Sequence, residues 1–323
     1  MRSFKHFNAR MVDEACVLLE KYKGKAVLNA GGTDLLTTLK GEYLLQYPQV
    51  VVNIKTISGL DYITEDGDLL KIGALARLSS IASSPLLRDY YSVLAEAAHS
   101  VATPQIRNMA TIGGNICQDV RCWYYRYPRH IGGPIQCARK GGSTCLAVTG
   151  DNRYNAIMGG KRCFAVCPSD TAVALAALNA TIRIAGPEGE RSVAITDFFS
   201  PMGNALKPDE MVLEINVPRI TYPAKQKFLK FTLRKPIDFA IVSVATFITV
   251  KEGICTDARI ALGAVAPGPV RAYKAEKVLK GRRIDHDAAS EAAKEAVANA
   301  KPLSNNADKI EIAKTLVKMA ILD

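Results

Sequence analysis

The chain has 323 residues, 48% of them hydrophobic, and a formal net charge of +11. At roughly 100–200 residues per domain this bounds it to two or three domains with an ample core. There is no run of about 18 apolar residues, so no membrane span is expected. The positive charge is scattered rather than gathered in a run, which argues against nucleic acid and fits a phosphate-bearing ligand or an acidic partner.

The N-terminus has no apolar h-region, so no signal peptide is expected and a cytoplasmic location follows by default. Residues 8–22 read as an amphipathic helix capped by Asn8, with Met11, Ala15, Leu18 and Leu19 on one face. A short strand, 25–29, runs into Ala30-Gly31-Gly32-Thr33-Asp34 at the start of a second helix. Such a turn is either a plain strand–helix connection or a phosphate cradle, since the helix start exposes backbone N–H groups and carries partial positive charge. Neither a Rossmann fingerprint nor a P-loop is present. Val50 to Ile54 completes a small β-α-β unit, and residues 60–63 and 69–72 form a hairpin. Helices follow from Leu78 and over 86–100. Thr111-Ile112-Gly113-Gly114-Asn115 then repeats the Gly-Gly pattern, and two such loops suit a long ligand with a charged middle, such as a dinucleotide.

Six of the eight cysteines fall between Cys117 and Cys167, at 117, 122, 137, 145, 163 and 167. Disulfides are not expected in a reducing compartment. Thiolate ligation without ligand-spaced histidine favours iron–sulfur or structural zinc, but no C-x2-C pair is present, so spacing leaves both open, along with unligated thiols. Eight Lys or Arg against Asp119 and Asp151 in this segment suit the negative charge of a [4Fe–4S] site. Trp123, Tyr124, Tyr125 and Tyr127 read either as a water shield or as a docking surface. Cys16 and Cys255 read as small buried hydrophobes.

Beyond the cysteines, 170–178 is helix, and 180–185, 193–195 and 210–217 are strands. A hinge is expected at 220–223. Strands over 226–234, 239–250 and 258–264 then form a meander, with helices at 271–280, 287–300 and 306–321.

Ala30-Gly31-Gly32-Thr33-Asp34-Leu35, Ile72-Gly73-Ala74, Ile106 to Asn115, Pro168-Ser169-Asp170, Lys230, Arg234 to Ala240 and Ala261 to Ala266 run in the order found in one known family. In them the chain resembles the FAD-binding medium subunits of the molybdenum hydroxylases, the xanthine dehydrogenase and carbon monoxide dehydrogenase group. A cysteine-bearing insertion at this point, with Arg121-Cys122-Trp123-Tyr124-Tyr125 and Gly159 to Cys163, is similar to the β subunits of 4-hydroxybenzoyl-CoA reductases. Relative to those, residues 149–158 look like an addition.

The resemblance implies an α+β fold: a vanillyl-alcohol-oxidase type FAD-binding fold plus a C-terminal α+β lobe of the CO dehydrogenase flavoprotein type. Its bounds would be 1–220 (lobes 1–56 and 57–220, insertion 117–167) and 221–323. It implies FAD held by Val27, Leu28, Asn29, Ala30, Gly31, Gly32, Thr33 and Asp34, by Thr111, Ile112, Gly113, Gly114 and Asn115, and by Val101, Asp170, Val212 and Lys230. Asp170 would bond a hydroxyl or ring nitrogen, and Lys230 would favour the reduced, anionic flavin. A [4Fe–4S] cluster would be held by Cys122, Cys137, Cys145 and Cys163, with Cys117 and Cys167 in reserve. The expected partners are a molybdopterin-binding large subunit, a [2Fe–2S] small subunit and an external carrier such as ferredoxin, in a dimer of heterotrimers. No catalytic acid, base or nucleophile is expected within this chain. The alternatives are the FAD subunit of a xanthine or aldehyde dehydrogenase-type hydroxylase, a free-standing flavin oxidase, and a zinc-stabilised binding protein without redox function.

Overall fold

The structure is a computed structural model that describes residues 1–234 and 237–323. Lys235 and Pro236, part of the Arg234–Ala240 run quoted above, lie outside the described residues. The chain begins β1 (Lys5–Asn8), α1 (Val12–Tyr22), β2 (Ala26–Asn29), α2 (Leu35–Gly41), β3 (Val50–Asn53). The strands form a parallel sheet in the order β1-β3-β2. The valines of β3 are buried, as a central parallel strand requires. Asn8 does not cap a helix: it ends β1, its side chain accepts from Asn53 Nδ2 at 2.8 Å, and α1 begins four residues later. Cys16 packs in the core between α1 and this sheet.

The middle of the chain adds β4 (Ile63–Asp66), β5 (Leu69–Gly73), α3 (Leu78–Ser83), α4 (Pro85–Tyr90), α5 (Ser92–His99), α6 (Pro104–Arg107), α7 (Ile112–Cys117), α8 (Asp170–Ala177), β6 (Thr181–Gly186), β7 (Gly189–Ala194), β8 (Phe199–Ser200), β9 (Gly203–Asn204) and β10 (Met211–Pro218). The helix expected over 86–100 is two helices. Its chain breaks at Tyr91, whose ring is wholly buried and whose hydroxyl donates to Glu65 at 3.2 Å. An antiparallel sheet runs β4-β5-β10-β6-β7. Its central strand β10 is buried on both faces: Met211 and Leu213 join the N-terminal core, while Val212, Ile215 and Val217 join the helical core. A bulge between Val212 and Glu214 lets Val212 share a face with Ile215 and Val217.

The remainder is β11 (Lys225–Phe231), β12 (Val242–Lys251), β13 (Ile254–Gly263), β14 (Val270–Arg271), α9 (Tyr273–Leu279), α10 (His286–Ala296) and α11 (Asp308–Leu322). The expected meander forms and gains β14 as a fourth strand. Helices α9 and α11 pack against it, the alanines of α10 join the same core behind them, and Cys255 is buried there. The result is mixed α/β throughout. Among the described residues no helix is long and apolar enough to cross a membrane.

Between α7 and α8 the chain is held by turns, including two short 3-10 segments, Arg129–Ile131 and Ala138–Lys140. Its stem is closed by Asn115, whose Oδ1 accepts from Ser169 Oγ and Thr171 Oγ1, both at 2.6 Å and buried. Residues 149–158 moor it to the C-terminal part. Asn152 Nδ2 donates to Ser304 Oγ at 3.0 Å and its Oδ1 accepts from Asn305 N at 2.8 Å. Ile157 and Met158 donate backbone N–H groups to Val265 O.

Lys309 completes this mooring. Fully buried, it donates from Nζ to the carbonyls of Asn155 and Ala264. Burial pulls its ammonium down to about 7. The unfolded chain, with lysine near 10.4, binds more protons above pH 7, so this site gains stability as pH rises from about 7 to about 10. Thermal unfolding should therefore show Lys309→Met faring worse relative to the wild type at pH 9.5 than at pH 6.5. A pH-independent difference would contradict the buried charge.

Candidate functional site

The two Gly-Gly turns meet. Gly31 follows β2 and packs so tightly against the second loop that a Cβ there would stand 2.1 Å from the Met109 carbonyl oxygen. Gly113 approaches the Ala74 carbonyl in the same way, at 2.8 Å. Gly32 has φ +73°, a conformation side chains rarely adopt. Thr111 caps α7 by accepting from Gly114 N at 3.2 Å. Arg107, buried, donates to the Val101 and Ala102 carbonyls at 2.9 and 3.0 Å and fixes that turn.

Together these segments wall a cavity of about 680 Å³. Its lining includes Val27, Leu28, Ala30, Gly31, Gly32, Thr33, Asp34, Val101, Thr111, Gly113, Gly114, Asn115, Asp170, Val212 and Lys230. Ile112 points instead into the helical core, wholly buried, and Asn29 stands behind Gly32 with its Oδ1 buried and without a partner. A volume of this size with apolar walls and few polar groups suits a nucleotide cofactor, and the glycine turns leave room for backbone to approach one. Cys117 lies on the wall too, its thiol pushed up to about 12 by burial.

Asp170 and Lys230 do not act as separate groups. Their side chains pair at 2.7 Å, both almost wholly buried, and Lys230 Nζ also donates to Ser100 O at 3.0 Å. Burial raises the Asp170 carboxyl, and Lys230 opposes that shift. Lys230, expected as a cation that favours the anionic flavin, is one half of this ion pair.

The cavity's far side is built by the insertion. Asp34 pairs with Arg121 and Arg126, each at 2.8 Å, and accepts from Asp119 N at 2.9 Å. Asp119 accepts in turn from Tyr125 Oη at 2.5 Å and from Arg139 at 3.4 Å. Arg121 lines the cavity and stacks on Phe239 at 4.5 Å. Burial and the neighbouring Arg126 both lower its pKa.

Behind this wall lie the four expected ligands. Cys137 and Cys163 share one buried cluster with Tyr43, Val120, Tyr125 and Ala165, and Cys122 packs half-buried against it. The neighbouring Cys163 thiol, with backbone N–H groups of Phe164, Ala147 and Val148, draws the Cys145 thiol down. The Cys163 thiol is pushed up by Cys145 and by burial. Burial pushes the Cys122 thiol up, opposed by the neighbouring N–H groups of Tyr125, Tyr124 and Asn155. Cys167 belongs to the other core, beside α8, and burial pushes it up to about 12. Among the described residues, however, no three His, Cys, Asp or Glu side chains converge as a ligand set for a metal ion. A cubane, unlike a single ion, takes its thiolates at its corners and so accepts a wider set.

Lys140 gives an independent reading of the charge expected there. It is 4% exposed, and its Nζ has no hydrogen-bond partner. It sits 5.2 and 5.6 Å from the ring centres of Tyr125 and Tyr43, and the nearby thiols of Cys137 and Cys122 favour its charge against burial. An orphaned buried ammonium beside two of the expected ligands, Cys137 and Cys122, fits an anionic thiolate cluster. Of the aromatics, Tyr125 is buried, joined by Tyr43, whereas Trp123 is 54% exposed and stacks on Tyr154. Tyr43 carried no sequence signal, and Lys140 and Arg126 were only two of eight cations and Phe239 one member of a family run, because only the fold brings the four to this site.

Two tests follow from this geometry. Gly31→Ala should cost about 1–3 kcal/mol and lower bound flavin per chain by absorbance, while Gly203→Ala, whose Cβ meets open space, should change neither. Lys230→Met should cost about 3–5 kcal/mol by denaturant unfolding, because Asp170 is left as an uncompensated buried charge; adding Asp170→Asn should recover part of that loss.

Residues 2–220 match the family model described as the FAD binding domain in molybdopterin dehydrogenase, and residues 227–322 match the CO dehydrogenase flavoprotein C-terminal domain. The aldehyde oxidoreductase FAD-binding subunit PaoB of Escherichia coli K12 is 33% identical over 97% of this chain and 96% of that protein. The carbon monoxide dehydrogenase medium chain of Hydrogenophaga pseudoflava is 28% identical over 98% and 96%. A solved structure of the carbon monoxide dehydrogenase from that organism superposes with a TM-score of 0.80 at 28% identity, covering 99% and 96% of the two chains. Quinoline 2-oxidoreductase from Pseudomonas putida 86 gives 0.77 at 25% identity. A cavity between two glycine turns, in a chain matched along nearly its whole length by these flavoproteins, makes this an FAD-binding oxidoreductase subunit that belongs to the molybdenum hydroxylase family.

Proposed function

We propose that this chain is the FAD- and [4Fe–4S]-carrying electron-transfer subunit of a molybdenum-dependent complex, similar to 4-hydroxybenzoyl-CoA reductase. Residues 1–220 would bind FAD and 221–323 would close over it. The observation that carries the iron–sulfur part is the buried Lys140 ammonium, without a hydrogen-bond partner among the described residues and beside Cys137 and Cys122, with Cys163 in the same apolar cluster as those two. Bound FAD exchanges a pair of electrons with one partner and single electrons with iron–sulfur centres. The protein's work is to hold and tune it. The glycine turns of residues 27–34 and 111–115 receive the cofactor, and the Asp170–Lys230 pair keeps that end of the cavity electrically neutral. Cys122, Cys137, Cys145 and Cys163 would hold the cluster, and Tyr43 and Tyr125 exclude water from it. The partners in this reading are a molybdopterin-binding large subunit, a [2Fe–2S] small subunit and an external carrier of the ferredoxin class, in a dimer of heterotrimers. Electrons would enter through this chain to reduce an aromatic CoA thioester.

A second reading is favoured by the likeness to an aldehyde oxidoreductase subunit. In it the same two sites carry electrons outward from an oxidised aldehyde or heterocycle. The two readings differ in whether the purified complex bleaches a dye with aldehydes or needs a strong reductant and an aromatic CoA thioester. The ligand assignment is tested by single Cys→Ser exchange. Serine at 122, 137, 145 or 163 should lose iron, and serine at 117 or 167 should keep it; iron retained in all six would refute it.

A further inference from the structure

We propose that the FAD site and the iron–sulfur site bind their cofactors cooperatively, with Arg126 and Arg121 as positioning residues that act on Asp34 of the flavin turn. The inference rests on the iron–sulfur reading above and adds a coupling between the two sites.

The link is continuous and short. Cys122 O accepts from Arg126 N at 2.9 Å, so the turn bearing one cluster ligand also fixes the backbone of the arginine. Arg126 Nε donates to Val120 O at 2.6 Å, and its Nη2 donates to Asp119 O at 2.9 Å and to both oxygens of Asp34 at 2.8 and 3.1 Å. Asp34 closes the circle by accepting from Asp119 N. The turn 119–126 is thus fastened at one end to a cluster ligand and at the other to the residue that follows Gly31-Gly32-Thr33 on the cavity wall. Arg121, adjacent to Cys122, adds a second arm: it pairs with Asp34 and reaches across the cavity wall to Phe239.

Among the described residues, Cys137 and Cys163 are held by the packing of one apolar cluster, with Cys122 half-buried against it, and no hydrogen bond joins one thiol to another. Ligation at Cys122 would order the 119–126 turn, and that ordering holds Asp34 and its loop in the shape that receives the flavin. The cofactor bound second then meets a loop already ordered by the first. Linkage makes the effect reciprocal.

The test uses the purified full-length chain, stripped of flavin, in cluster-loaded and iron-chelated forms, with FAD affinity read by quenching of flavin fluorescence. The wild-type dissociation constant should rise at least about 5-fold on cluster removal, the lower end of ordinary site–site coupling. Arg126→Gln should bring that ratio close to one, whatever it does to affinity itself, because a merely structural loss weakens both forms alike. Arg126→Lys, which keeps the charge but not the fork onto Asp34, should give an intermediate ratio. Equal affinities in the two wild-type forms would overturn the coupling whether or not the variants fold. An unchanged ratio in Arg126→Gln and Arg126→Lys would overturn the arginine's role. A chain isolated without iron would refute the cluster reading, and this inference with it, a result distinct from four irons without coupling.

Discussion

The Asp34 carboxylate, gripped by Arg121 and Arg126, is the contact on which the arrangement of this molecule turns. One partner belongs to the flavin turn and the others to the cysteine-bearing excursion. An ion pair on an exposed surface is worth little, but these side chains are largely enclosed: Asp34 also accepts from Asp119 N, Arg126 also donates to Val120 O and Arg121 to Gln118, while Arg121 Nε and Arg126 Nη1 are buried without a partner among the described residues. Breaking such a buried network leaves charges stranded, which is why it specifies one geometry. The excursion is consequently a wall of the cavity rather than a loop hung from it.

Three further fastenings complete the same design. Asn115 ties the two ends of the excursion, Asn152 and Asn155 with Lys309 moor its middle to the C-terminal part, and the Arg121–Phe239 stack joins it to the segment after β11. The segment 149–158 thus has a mechanical role. It bridges the cysteine pocket and the C-terminal helices, and Asn155 touches both Cys122 and Lys309.

Much of the fold was legible from periodicity and turn residues: the parallel β-α-β start, the hairpin, the C-terminal meander and its helices. The misreadings have local causes. Asn8 is a good capping residue, yet pairing with the Val50–Asn53 strand outweighed it. The alanine-rich run 86–100 gave no sign of its break, because burial of the Tyr91 ring decides it. At the site, the glycine turns announced themselves, since only glycine tolerates the approach of Gly31 to Met109. The roles of charged residues were not legible. Lys230 read as a flavin-side cation, with no partner named in the sequence, until the fold set it against Asp170, 60 positions earlier in the chain. The arginines of the excursion read as counter-charge for a cluster until Asp34, 92 positions before Arg126, claimed two of them. Pairings over such separations leave no trace in local spacing.

The central claim is that the excursion holds an iron–sulfur cluster next to the flavin cavity. Anomalous diffraction from crystals of the anaerobically purified protein, recorded on either side of the iron edge, tests it most directly. The account predicts iron density enclosed by Cys122, Cys137, Cys145 and Cys163 beside the Lys140 ammonium, with FAD in the adjoining cavity. A zinc signal at those cysteines, or thiols with no metal between them in crystals that do contain FAD, would contradict it.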